Sequence, residues 1–275
     1  MTKAKVPSVQ KFRQVIWNYH KEHRRDFAWR DTHNPYRILV SEIMLQQTQT
    51  KRVVPKYESF LKQFPSTKAL ATAQLGSVLI AWQGLGYNRR AKALKHAAEI
   101  IEGKFGGRFP KNYQELLDLP GIGQSTAGAL MAFAFNKPFA FIETNIRAVF
   151  IHFFFSDQIT VKDADIVELI KKSIDRKNPR EWYYALYDYG AMLKASGAKL
   201  NPKSAHYKKQ SAFKGSNREV RSNMLKLLLK KHTLDEKTIK KSLSLSEEIV
   251  KKNLQAFEKE GIIVREIKSG RWKIA

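Results

Sequence analysis

The sequence predicts an all-α fold, on three observations. Apolar residues recur at helical spacing over almost the whole chain. A Leu119-Pro120-Gly121-Ile122-Gly123 hairpin separates two such helical patterns. Strand-like alternation is nearly missing until the carboxyl end, where one short β-hairpin reads out.

Val9, Phe12, Val15, Ile16 and Tyr19 keep helical spacing at the amino end, and a polar, charged turn follows over 22–34. Pro35 opens a second helix at a first-turn position that proline favours, with Ile38, Leu39, Ile43 and Leu45 on its apolar face. Further helical patterns cover 51–63, 67–82, 89–103, 113–119, 126–136, 144–155, 163–175 and 179–195. The run 150–155 would suit a buried strand, but its surroundings favour a core helix. A polar, turn-rich boundary spans 196–216. From 194 to 214 there are six lysines and no acid, which suits a solvated linker or a phosphate-facing strip.

Beyond the boundary, 217–231, 234–243 and 246–260 read as helices, with Ser246 as a cap and Gly261 as a stop. Residues 262–274 read as a hairpin turning at Ser269-Gly270. This is a winged-helix pattern. Its third helix carries Lys251, Lys252, Gln255 and Lys259, and its wing carries Lys268, Arg271 and Lys273. Such units read a DNA groove or dock on protein.

Composition narrows the partner. Fifty Lys and Arg against 25 Asp and Glu give a formal charge of +25, which favours salt-dependent, sequence-blind binding to nucleic acid. An anionic membrane is the competing partner, but no apolar run approaches the roughly 18 residues that a span needs. The stretch 1–7 lacks the apolar core of a signal peptide, so the chain is read as cytoplasmic and nucleoid-associated. There is no cysteine, which excludes disulfides, thiolate zinc sites and cysteine-held iron–sulfur clusters. The seven histidines show no ligand spacing, so no metal site is expected. A chain of 275 residues with 43% apolar content holds material for one medium domain and a small one.

The hairpin suits a phosphate. Two glycines in three residues allow a tight turn without a Cβ to keep the anion away. The following helix then points its free N–H groups and positive dipole end at the same spot. A plain helix-turn-helix corner is the alternative reading. Three carboxylates have surroundings unlike those of a surface acid: Glu42 between Ser41 and Ile43, Glu143 at a helix start after an apolar run, and Asp188 in an aromatic run. An acid in apolar surroundings keeps its proton near neutral pH, as a general acid must, whereas one at a helix amino terminus stays ionised and steadies a cation. Glu42 and Glu143 would fit those roles in breaking an N-glycosidic bond, which parts through an oxocarbenium-like sugar. A cap or a buried ion pair is the alternative for each. The cluster Trp182-Tyr183-Tyr184 reads as core, and Arg89 and Arg90 as phosphate contacts.

Trp29-Arg30, Asn34-Pro35-Tyr36, Ser41-Glu42-Ile43-Met44-Leu45-Gln46-Gln47-Thr48-Gln49, Gly84-Leu85-Gly86-Tyr87, the hairpin over 119–127 and Asp188-Tyr189-Gly190-Ala191-Met192 occur in an order that resembles the MutY-type adenine DNA glycosylases of the helix-hairpin-helix superfamily, which includes endonuclease III. The resemblance covers roughly residues 10–212, and the Ser41 to Gln49 string is its most specific part. It implies a two-lobed helix-hairpin-helix glycosylase fold: a lobe of 30–140, a second lobe of 1–29 with 141–212, and the winged-helix-like end over 216–275. It implies that Glu42 protonates the leaving purine and that Asn145 buttresses the site. Gln46 and Gln47 would enter the DNA stack, Tyr87 would wedge beside the flipped nucleotide, and Gly121, Gly123, Gln124, Ser125 and Thr126 would hold phosphate. Trp29, Arg30, Leu45 and Asp188 would line the base pocket. A Na⁺ or K⁺ ion at the hairpin carbonyls would be an ordinary feature of the superfamily.

Ser125 stands where bifunctional members carry a lysine nucleophile, so the resemblance implies a monofunctional enzyme that leaves an abasic site. Three departures stand out. Glu143-Thr144-Asn145 replaces Asp-Gly-Asn. The four cluster cysteines fall on Lys194, Asn201, Ser204 and Gln210, so no cofactor is expected. The oxidised-guanine recognition domain is replaced by the winged-helix-like unit. The expected partner is double-stranded DNA with a mispair or lesion, bound by a monomer. Excision of adenine opposite a damaged or normal purine is the leading expectation. A thymine or uracil mismatch glycosylase and a non-catalytic lesion sensor are its rivals.

Overall fold

The structure is a computed structural model that describes residues 6–207 and 209–275. Residues 1–5 of the amino-terminal stretch, and Lys208 among the six boundary lysines, lie outside the described residues. The chain divides into two compact units. The first comprises 1–42, 110–118 and 122–209, and the second comprises 43–109, 119–121 and 210–275.

In the first unit, α1 (Val9–His23) begins where the Ser8 hydroxyl caps Lys11 N–H at 3.2 Å. It packs on α10 (Asp163–Ser173) and α11 (Pro179–Ala195), and α11 also packs on α9 (Thr144–Phe154). Aromatic edges fill the core between them: Phe12 meets Phe150 at 5.2 Å and Trp182 at 5.8 Å. Arg13 spans the gap to the end of α10, donating to the carbonyls of Ser173 and Ile174 at 2.8 and 2.6 Å. These are the orphan acceptors of a helix carboxyl end. Residues 150–154 are helical, and Val149, Phe150 and Ile151 are buried, as the sequence reading favoured. The same unit holds α7 (Tyr113–Leu117) and α8 (Gln124–Phe133), an almost wholly buried helix. A Cβ at Gly128 would collide with Phe141, so this glycine sets how closely the following segment lies on α8.

Helix α2 (Pro35–Leu45) runs from the first unit into the second. Asn34 caps it by accepting from the N–H groups of Tyr36 and Arg37 at 3.0 and 3.2 Å. Next come α3 (Thr50–Gln63), α4 (Thr67–Thr72), α5 (Leu75–Ala81) and α6 (Arg89–Phe105). The sequence pattern had suggested one helix over 67–82. The structure breaks it at Ala73 and Gln74, which are extended. In a straight helix Leu70 and Leu75 would point about 140° apart, whereas the break lets both be buried as α4 and α5 each pack on α6.

The carboxyl-terminal part of the second unit contains α12 (Asn217–Lys231), β1 (Thr233–Leu234), α13 (Glu236–Leu243), α14 (Glu247–Lys259), β2 (Ile263–Arg265) and β3 (Trp272–Ile274). The strands form one antiparallel sheet in the order β1-β3-β2, with Leu234 opposite Trp272 and Val264 opposite Lys273. Two expectations change here. Leu234, read as the start of a helix, instead forms a strand with Thr233, and Asp235 then caps α13 through Thr238 N–H at 2.7 Å. The wing connection is the six-residue loop 266–271, longer than the two-residue turn read at Ser269-Gly270. Ser246 caps α14 and Gly261 ends it with φ +61°, both as read from the sequence.

Candidate active site

Glu42 is the one ionisable group on the buried stretch of α2 from Ile38 to Met44. Its neighbour Ser41 is 1% exposed and satisfies itself by donating to the Ile38 carbonyl at 2.8 Å. The residue keeps some accessible surface, but its carboxyl is set deep in protein. Burial, reinforced by the charge of Glu143, pushes its pKa up to about 8. A carboxyl so placed holds its proton at neutral pH and can give it away.

Glu143 occupies the N-cap position of α9. Its Oε1 accepts from the N–H groups of Asn145 and Ile146 at 2.7 and 2.8 Å, and Oε2 accepts from Asn145 Nδ2 at 3.3 Å. Burial raises its pKa above the ordinary value, and these hydrogen bonds with the nearby Arg147 charge hold back part of the rise. Desolvation is the larger of these opposing influences, and the cap is the smaller. Asn145 is itself gripped from α11. A Cβ at Gly190 would lie 2.6 Å from both Asn145 Cβ and its carbonyl oxygen, so only glycine lets the two helices approach this closely.

A third group facing the acids is Tyr187. Burial raises its phenol pKa well above the ordinary value, and the charges of Glu42 and Glu143 both push it further. Tyr184, one turn earlier on α11, also feels Glu42. The site is thus lined by α2, the start of α9 and one face of α11. Sequence reading missed Tyr187, whose only signal is its place three residues beyond Tyr184 in the aromatic run.

Asp188 points elsewhere. It is 2% exposed and bonds to Arg30 Nη2 and Nη1 at 2.7 and 2.9 Å, to Arg25 Nε at 2.6 Å and to His20 Nδ1 at 3.2 Å. Burial works against its charge, but these partners outweigh it and hold the carboxyl well below the usual range. Arg30, 4% exposed, lies over the Tyr184 ring at 4.5 Å, and Trp29 stacks on Phe27 at 4.7 Å. Asp188 and Arg30 spend their charges on each other. Their role in the structure is a buried strap from α11 to the segment after α1, and the expected base contacts are not what these charges do.

At the amino end of α8, Gly123 offers no side chain to cap the helix, and Gly123 and Gln124 are exposed. The start of α8 therefore carries no side-chain cap from Gly123, which suits an anion there. Thr126 is buried and Ser125 half-buried.

In the second unit, Gly121 is required twice over. Its φ is +79°, and a Cβ would lie 2.9 Å from Ala93 Cβ. Its carbonyl accepts from Gln46 Nε2 at 3.4 Å. Gln47 and Tyr87 are both non-glycine residues in the left-handed region, at φ +54° and +50°. Such strain collects where a side chain must be aimed. Leu45 is half-buried at the end of α2.

Arg90 departs from the reading as a phosphate contact. Its Nη1 donates to the carbonyls of Ile43, Met44 and Gln46 at 2.8, 3.0 and 2.5 Å. Its Nη2 reaches Thr48 Oγ1 and the carbonyls of Leu85 and Gly86 at 3.0–3.1 Å. The guanidinium is a pin holding the end of α2 and the loop before Tyr87. Arg89 is exposed and remains open to solvent.

Residues 40–174 match the model of the HhH-GPD superfamily of base excision DNA repair proteins. The chain is 30% identical over 237 residues to an adenine DNA glycosylase of Mycobacterium tuberculosis, covering 78% of this chain and 76% of that protein. The chain belongs to the HhH-GPD superfamily. It is also 41% identical over 197 residues to an adenine DNA glycosylase of Buchnera aphidicola, covering 70% of this chain and 54% of the relative. The chain thus spans about half the length of the Buchnera relatives it matches. Among solved structures, a thermostable thymine-DNA glycosylase superposes with a TM-score of 0.60 at 28% identity, covering 72% of this chain and 93% of that one.

The iron–sulfur cluster implied by the HhH-GPD resemblance does not fit the residues present. Lys194, Asn201, Ser204 and Gln210 supply an ammonium, two amides and a hydroxyl, none of them a thiolate for iron. Backbone ties the loop instead. Val161 N–H donates to the Lys203 carbonyl at 2.8 Å, Ala205 N–H donates to the Val161 carbonyl at 3.0 Å, and Lys203 Nζ reaches the Ser156 carbonyl. A 3₁₀ turn at Asn201–Lys203 leads into this bridge. Among the described residues, no cluster of three or more His, Cys, Asp or Glu side chains could hold a metal ion, and no helix is long and apolar enough to cross a membrane.

Proposed function

We propose that this chain is a monofunctional DNA N-glycosylase that removes adenine from a mispair with a damaged or normal purine. The observation that carries the reading is the pair Glu42 and Glu143. One acid holds its proton to about pH 8, and the other is fixed at a helix start beside it. Glu42 protonates the departing base as the C1′–N9 bond breaks and its electron pair moves to the base. Glu143, as its carboxylate, stabilises the oxocarbenium sugar. Water then adds to C1′ and gives up a proton, leaving an abasic site. With serine at 125, no Schiff base forms and the strand stays intact.

The start of α8 without a side-chain cap, the glycine at 121 and the excess of 25 positive charges support a backbone-held duplex partner. The test uses duplexes bearing single mispairs, followed by alkaline cleavage of abasic sites. Product from adenine mispairs that vanishes with Glu42→Gln supports the proposal. Tight binding without product on every pair would favour a lesion sensor instead. The likeness to the thymine-DNA glycosylase favours a second reading, thymine or uracil excision from mismatches, which the same panel separates.

A further inference from the structure

Within the second unit, Tyr87 is held from several sides. Two guanidinium groups approach its ring, Arg90 at 5.5 Å and Arg218 at 5.6 Å from the centroid. Its hydroxyl accepts from Arg218 Nη1 at 3.0 Å and from Gln210 Nε2. Arg218 Nη2 bonds to the carbonyls of Ser211 and Ala212, so one side chain ties the 210–212 segment to the aromatic ring. Gln210 Nε2 also reaches Gln47 Oε1 at 3.5 Å. With two donors on the phenol oxygen, its remaining hydrogen-bonding capacity is its own proton.

The same part of the chain is fastened to α6 close by. Lys92, five residues after Tyr87, donates through Nζ to the Glu260 carbonyl at 2.7 Å, beyond the end of α14. Arg221 pairs with the Glu260 carboxylate at 2.6 Å while lying 4.1 Å over Phe257. Helix α12 and the end of α14 are thereby anchored on the start of α6, where Tyr87 leads in.

We infer that Arg218 and Gln210 are positioning residues for base flipping, which hold Tyr87 as a preset wedge; the inference rests on the glycosylase reading. A side chain that enters a base stack must give up its rotamer freedom. Holding the ring before the encounter removes that cost from the flipping step. The carboxyl-terminal part of the unit thus acts on the extrusion step through Tyr87.

The experiment places 2-aminopurine at the target position of a duplex and follows its fluorescence with the full chain, so excision is not needed for the readout. Arg218→Ala and Gln210→Ala should each lower the flipped population, Arg218→Ala by about fivefold, and Tyr87→Phe should mask them. In the double variants the added loss should stay within about twofold. Arg218→Lys, which keeps a donor, should recover part of the signal. Gln210 is exposed, so its truncation tests the idea without threatening the fold. Flipping at wild-type level in both single variants, or losses that multiply fully with Tyr87→Phe, would overturn the inference. Absence of any fluorescence change with the wild-type chain on bound duplex would instead count against the glycosylase reading.

Discussion

Glu143 turns back on its own helix and accepts the Asn145 N–H at 2.7 Å. The extra methylene relative to an aspartate is absorbed in that loop from side chain to helix start, so the carboxylate is both a cap and the expected partner of the sugar. Glu143→Asp should lower single-turnover excision by about 10- to 100-fold, because a shift of order 1 Å misplaces the charge. Its stability should change by less than about 1 kcal/mol, since aspartate also caps well. Equal or faster excision by the aspartate variant would show that the site is not built around glutamate.

Glu42 sets the alkaline limit. With its pKa near 8, the excision rate should hold at neutral pH and fall about tenfold per unit above that value as the proton is lost. The sign for stability follows from the same shift. The folded pKa lies above the unfolded one, so its stabilising contribution is complete below about pH 4.3 and is lost as pH rises through about 8. Glu42→Gln should therefore be more stable than wild type at pH 9, by several kcal/mol and at most about 5, in urea titrations. A wild-type rate that stays flat to pH 10 would refute the assignment of Glu42 as the acid.

The strap at Asp188 titrates the other way. Its folded pKa is depressed, so its contribution is present above about pH 3.9 and disappears only as pH falls through the lower folded value. Asp188→Asn leaves Arg30 buried without its counter-charge and should cost about 3–5 kcal/mol at neutral pH. His20 has a raised pKa, so its share is lost as pH rises through that folded value. A neutral result in chemical denaturation would mean that the strap contributes little.

Close packing makes Gly190 a sensitive position. Gly190→Ala forces a methyl group against Asn145 and should cost about 1–3 kcal/mol of stability, with excision falling further than folding because Asn145 holds Glu143. Thermal melts and single-turnover rates measured side by side separate the two effects.

Arg89 and Arg90 should part company in a salt titration. Arg89→Ala should reduce the slope of log K against log salt by about one unit if the side chain meets phosphate. Arg90→Ala should leave that slope unchanged and lower stability by about 1–3 kcal/mol, since its donors are spent on carbonyls. A shallower slope for Arg90→Ala would reinstate it as a DNA contact.

Much of this molecule was legible because its signals are local. Pro35 after Asn34, Ser246 ahead of Ile249 and Gly261 after Lys259 mark helix ends by chemistry that acts within a turn. Glu42 was legible as an acid in an apolar helix. What stayed hidden depends on partners distant in sequence. Nothing in the sequence reveals that Arg90 gathers six acceptors from the end of α2, the turn after it and the loop before Tyr87, and Asp188 reads as an isolated acid until Arg25 and Arg30 arrive from more than 150 residues away. The break at Ala73 carries no glycine or proline, and β1 is two residues long, so neither leaves a period to detect. Tyr187 was missed because facing two acids is a property of three elements together.

The loop bridged by Val161 and Ala205 bears on where such a protein can work. Its shape rests on amide-to-carbonyl bonds, in a loop whose residues offer no thiolate to a metal. Peroxide, which damages bases, meets a chain of 275 residues without one thiol to attack.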